Sequence, residues 1–180
     1  MDKDTGQYWN IRQDAIPWSY DEQLSAKQHR LPDDMGDCLN QHFDIDDGLS
    51  LIQTHYHPDR NLAVMTDMPL QAPRMVLTLT LKGQSCFQSQ QGSESIDFRT
   101  GYTTITTFNA SQGCRLYNAG QQTLQLRFCI NQEWLEGHFG TGVFAQFFSV
   151  NGFRIISERP ISMYSLSASQ NLLQIPANPR

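Results

Sequence analysis

No run of this chain is apolar for long enough to span a bilayer. The opening Met1-Asp2-Lys3-Asp4 lacks the apolar core of a signal peptide. A surplus of basic charge is missing as well: 13 Lys and Arg stand against 18 Asp and Glu, for a formal net charge of −5. Strong nucleic-acid binding by counterion displacement is therefore not expected of the chain by itself. Cys38, Cys86, Cys114 and Cys129 form no C-x-x-C pair, and three of them sit in strand-like runs, where a thiol behaves as a small hydrophobe. This usage points to a reducing, cytoplasmic setting without disulfides. There is no G-x-S-x-G elbow and no glycine-rich phosphate loop. The acidic turn Asp44-Ile45-Asp46-Asp47-Gly48 lacks the twelve-residue spacing of a calcium loop. Long helical periodicity between strand-like runs is also absent, which argues against a helix-led α/β fold.

What the chain does have is short runs rich in β-branched and aromatic residues, punctuated by Gly, Asn, Ser and Gln. They are concentrated between Arg74 and Ile130. This spacing predicts an antiparallel sandwich or barrel, an all-β fold of jelly-roll type with trailing helices. With 180 residues, 39% hydrophobic and 17% charged, the chain has enough apolar material for one domain with a core. Residues 1–42 read as a polar N-terminal arm with scattered anchors at Trp9, Ile16, Trp18 and Tyr20. Residues 43–131 read as the barrel, and 132–180 as a helical segment. Asn131 is placed to cap a short helix carrying Trp134 and Leu135, and Ser162 to cap a last helix that Pro176 ends. Met163, Leu166, Gln170 and Leu173 form one stripe on that last helix, suited to its own domain or to a homodimer.

Alternation assigns faces to the strands. Leu49, Leu51, Gln53, His55 and His57 share one side of a strand. Met75, Leu77, Leu79 and Leu81 share a side of another, and Leu124, Leu126, Phe128 and Ile130 of a third. These aliphatic sides are expected to face one interior, with both histidines among them. Arg127, between Leu126 and Phe128, is then expected to face outward. Tyr102, Thr104, Thr106 and Phe108 form a half-polar side that suits the lining of a small-molecule cavity.

His55-Tyr56-His57 is the one metal-like signal, and it resembles the H-x-H pair of metal-binding cupins. Those proteins add a glutamate and a distant histidine, whereas here Asp59 beyond Pro58 is the only nearby acid. Two ligands complete neither a structural nor a catalytic site, so the histidines read as polar cavity wall, with no metal and no cofactor.

The run Phe98-Arg99-Thr100-Gly101-Tyr102-Thr103-Thr104-Ile105-Thr106 has the look of a strand entry in cupin-type sensor domains. Taken with Gly113 to Tyr117, Leu124 to Phe128, Glu133-Trp134-Leu135 and Ile156 to Ser162, it resembles the N-terminal domain of AraC/XylS-type transcription regulators. Among these it is most similar to the pyochelin-type siderophore regulators. The similarity covers roughly Phe43 to Ile175, though Phe108-Asn109 stands where such proteins carry a proline pair. The resemblance implies a regulatory domain, not an enzyme, that senses a small effector such as a ferric siderophore. It implies contact with DNA only through a C-terminal helix-turn-helix domain that this chain lacks, and no membrane partner. The expected effector contacts are His55, His57, Thr66, Tyr102, Thr104, Thr106, Phe108, Arg115 and Tyr117, and the expected dimer contacts are Met163, Leu166 and Leu173. Two rival readings are a metal-dependent cupin enzyme using His55 and His57, and a dimerisation module without a ligand.

Overall fold

A computed structural model describes residues 8–68, 72–90, 95–109, 111–148 and 153–173, with the side chains of residues 68 and 111 left aside. The strands are β1 (Trp9–Arg12), β2 (Ser19–Asp21), β3 (Ala26–Arg30), β4 (Gly36–Asp46), β5 (Leu49–Pro58), β6 (Leu62–Met68), β7 (Arg74–Lys82), β8 (Gln84–Ser89), β9 (Ser95–Arg99), β10 (Tyr102–Phe108), β11 (Ser111–Tyr117), β12 (Thr123–Asn131) and β13 (Phe153–Pro160). Helices α1 (Gln132–Phe139) and α2 (Ala145–Phe148) separate β12 from β13, and α3 (Met163–Leu173) follows it. No helix among the described residues is long and apolar enough to cross a membrane.

The strands form two sheets. Five run in the order β1-β6-β11-β8-β9 and eight in the order β13-β10-β7-β12-β5-β4-β3-β2. Among the described residues all pairings are antiparallel except β1 with β6. Non-sequential neighbours such as β7-β12-β5 make this the double-sheet jelly roll that the strand spacing predicts. The β7–β8 turn needs Gly83, which has φ +66°; a Cβ there would lie 2.3 Å from the Gln122 carbonyl oxygen.

The segment read as an arm is built into both sheets. Residues 9–12 extend the smaller sheet, residues 19–30 supply β2 and β3, and β4 begins at Gly36. Its anchors are used as well, since Trp9, Ile11 and Ile16 pack on a core of Leu31, Cys38, Tyr56, Leu62, Val64 and Tyr117. The helix starts agree with the sequence. The Asn131 side chain accepts from the Trp134 amide at 2.8 Å, and Ser162 Oγ accepts from the Ser165 amide at 3.0 Å. Pro176 and Ile175 lie outside the described residues.

The larger sheet corrects the expected faces. Its aliphatic side is turned away from the smaller sheet and lies under the helices. Leu51, Leu79 and Leu126 pack with Phe43, Leu77, Leu81 and Phe128, and Leu172 and Leu173 of α3 cover them. Met75, Ile105 and Ile130 pack with Leu135 and Phe148 of α1 and α2. Short amphipathic helices cannot bury their apolar stripes against water, and this side of the sheet is the apolar surface available to them. The interior between the sheets is left to the other parity of each strand.

Candidate functional site

The parity turned inward is largely polar. Around a cavity of about 270 Å3 stand Asn40 and His42 from β4, Ile52 from β5, Arg74, Val76 and Thr78 from β7, Thr106 and Phe108 from β10, and Arg127 and Cys129 from β12. The smaller sheet adds Thr66, Phe87, Ile96, Phe98 and Arg115. Phe87, Ile96, Phe98 and Phe153 form an apolar cluster on one side, while the Tyr56–Tyr117 pair, with centroids 4.7 Å apart, sits in the separate core noted above. Gln13 and Trp18, from the N-terminal segment, complete the lining. Trp18 leans on His29 at 5.0 Å and meets His42 edge-on at 6.1 Å, and a ring nitrogen of His29 lies 3.0 Å from the Gln13 carbonyl oxygen. Burial lowers the His42 pKa from its usual value, against the pull of nearby Asp44. A second hollow beside the β4–β5 turn shares His42, Arg74 and Cys129 with the cavity, and Asp44, Asp46 and Asp47 are among its other lining residues.

Three arginines line the cavity; Arg74 is exposed, while Arg127 of the larger sheet and Arg115 of the smaller one are half-buried. Arg127 Nη2 donates to Thr54 Oγ1 at 3.0 Å. Thr54 in turn donates to Asn40 Oδ1 at 2.7 Å, and Asn40 Nδ2 donates to the Tyr56 hydroxyl at 3.0 Å. This chain fixes the guanidinium, yet its buried Nε has no acceptor among the described residues. Arg115 lies over the Phe98 ring at 4.4 Å and donates from Nη1 to Gln125 Oε1 at 3.3 Å. Gln125 is itself held, donating to Thr80 and Ser85 at 3.2 and 3.0 Å. Burial, and then the charge of Arg127, pull the Arg115 pKa down to about 10. Among the described residues no aspartate or glutamate lines this cavity.

The expected contacts divide. Thr66, Thr106, Phe108 and Arg115 line the cavity. Thr104 and Tyr117 are buried on the inward parity beside it, Thr104 paired with Thr78 and Tyr117 stacked on Tyr56. Tyr102, on the same parity of β10, carries Arg99 over its ring at 4.4 Å and takes no part in the lining. His55 and His57 do not reach the cavity. They share the parity of Leu51 and Gln53, on the side that faces α3; His57 is exposed, and burial lowers the His55 pKa. Among the described residues no group of three or more His, Cys, Asp or Glu could hold a metal ion. Arg127, expected to face outward, faces inward. Leu173 is spent on its own sheet, Leu166 is half-buried, and Met163 is 81% exposed.

Asn40, His42, Thr54, Thr78, Gln125 and Arg127 were not anticipated as interior residues. The signal for most of them was present as the second parity of β5, β7 and β12. Its Thr, Gln and Arg are too polar for a core and too regular for a loop.

No family model matches the chain, and no curated protein matches it. Among solved structures, the AraC-like transcriptional activator CuxR aligns over 86% of this chain and 55% of its own, at 12% identity and a TM-score of 0.49. Apo ToxT from Vibrio cholerae aligns over 76% and 51%, at 6% identity and a TM-score of 0.46. A double-stranded β-helix protein from Klebsiella pneumoniae aligns over 71% and 90%, at 10% identity and a TM-score of 0.40. The fold shared with these structures is the double-sheet jelly roll described above. This chain spans about half the length of CuxR and of ToxT, and a DMSP lyase and an oxalate decarboxylase are among the matches too.

Proposed function

We propose that this chain is the effector-sensing domain of an AraC-type transcription regulator, and that it binds a small molecule between its two sheets. One observation carries the reading. The larger sheet turns its aliphatic residues outward beneath the helices and keeps Asn, Thr, His and Arg around an internal cavity. A jelly roll selected for stability alone would fill that space with aliphatic side chains, because each buried polar group must find a partner or lose free energy. A cavity with aromatic walls and a few fixed polar groups is what small-molecule recognition needs.

Within this reading the DNA contact belongs to a separate domain. The effector is a molecule with phenolic or similar rings, of the siderophore type. Metal-dependent catalysis is the less favoured alternative, because His55 and His57 lie off the cavity and have no third ligand near them among the described residues.

Trp18 lines the cavity and serves as reporter. Titration with iron-free and ferric phenolic siderophores is expected to change its fluorescence and raise the thermal midpoint. Trp18→Phe should remove the optical signal while the thermal shift persists. If neither form gives a shift at millimolar concentration, the siderophore reading fails.

A further inference from the structure

We infer that the effector, granted the sensing role proposed above, is an organic acid whose carboxylate sits between Arg115 and Arg127, with its apolar body against Phe87, Phe98 and Phe108. The two guanidiniums come from opposite sheets and face one cavity, where no carboxylate among the described residues meets either of them. Three arginines outside the cavity do meet a carboxylate: Arg12 pairs with Asp14, Arg30 with Asp37 and Arg99 with Glu158. Inside, the hydrogen-bond partners given by Thr54 and Gln125 are neutral. Half-buried like charges left without a counter-charge raise the energy of the empty protein, and an incoming anion lowers it.

The surrounding groups also hold the pair in place. Arg127 is braced through Thr54, Asn40 and Tyr56, and Arg115 through Gln125 and the face of Phe98. Fixed guanidiniums receive a planar carboxylate through paired hydrogen bonds at little ordering cost, and Arg127 Nε still has a proton to give. A cavity of about 270 Å3 lies just under the roughly 300–1,000 Å3 typical of ligand sites, which favours a small acid of one or two rings or a short chain.

The test uses the 180-residue chain at low salt with phenylacetate, 4-phenylbutyrate and octanoate, each beside its primary amide. At least one acid is expected to raise the thermal midpoint and to bind about tenfold or more tightly than its amide, the ratio that charge-assisted hydrogen bonds supply. Arg115→Met and Arg127→Met should each abolish that preference. Without ligand, both variants should melt at or above the wild-type midpoint, because an unmatched charge has been removed. Acids and amides binding alike would overturn the acid assignment and leave the sensing role standing, and so would an acid preference that survives both substitutions. A panel in which no acid binds would overturn it too, as would a ligand-free Arg127→Met protein that melts several degrees lower and is restored by Arg127→Lys. The sensing role fails separately, if neither the siderophores nor any of these six compounds moves the midpoint.

Discussion

Leu126 offers the sharpest test of which way the larger sheet faces. It is fully buried on β12 and packs with Leu51, Leu79 and the last turn of α3, one residue away from Arg127, which points the other way. Leu126→Ala removes three carbon atoms from this outer core, and such a cavity costs about 2–5 kcal/mol. For a domain of this length each kcal/mol moves the thermal midpoint by about 2–4 °C, so a cost of about 3 kcal/mol predicts a fall of about 6–12 °C. Thermal unfolding followed by circular dichroism reads the size, and hydrogen exchange reads the place. Protection should drop first in α3 and in the facing stretches of β5 and β7, while the smaller sheet keeps its own. A shift below about 2 °C would refute the reasoning. So would exchange that rises mainly in β11 and β8, because Leu126 would then face the cavity.

Three further outcomes follow from the same placement. Thr78 is 1% exposed and its hydroxyl has no acceptor among the described residues; Thr78→Val should be neutral or stabilising by up to about 1 kcal/mol, and a loss larger than that in urea unfolding would show a hidden partner. His42 and His55 have pKa values depressed by burial below the usual 6.5, so the unfolded chain takes up protons more readily than the folded one. Stability is then full above about pH 6.5 and declines as pH falls from there through the folded pKa values, a slope that His55→Gln should flatten when midpoints are compared between about pH 7.5 and 5.5. Met163 and Tyr164 are 81% and 85% exposed at the start of α3; if a homodimer forms there, Met163→Asp should dissociate it in sedimentation, and a wild-type monomer at high concentration would end that proposal.

The strand periodicity was legible because β7 and β12 place an apolar residue at every second position. The helix starts were legible because Asn131 and Ser162 are strong caps. The choice between faces was not. β7 reads Met75, Leu77, Leu79 and Leu81 on one side and Val76, Thr78 and Thr80 on the other, and the rule that the apolar side faces inward selects the first. That rule compares a strand with water, while this strand is covered on both faces, by helices outside and a sheet within. β4 was lost for a related reason. Its inward residues Cys38, Asn40 and His42 are hardly more apolar than Leu39 and Gln41 between them, so no amphipathic signal marks an eleven-residue strand. Arg127 carries the same lesson, since charge in a strand reads as surface until the partner sheet is known.

Because the helices supply a second apolar layer, stability and recognition are assigned to opposite parities of the same strands. On β5, Ile52 and Thr54 belong to the interior, whereas Leu51 and Gln53 belong to the helix side, and Gln53 Nε2 donates to the Leu172 carbonyl of α3 at 3.4 Å. On β12, Arg127 is flanked by Leu126 and Phe128 in the same way. The backbone that positions the cavity groups is therefore also the backbone on which α3 rests. A shift of β12 by a few tenths of an ångström around a bound molecule must be taken up by the packing of Leu126 under α3, since close-packed cores have no slack to absorb it.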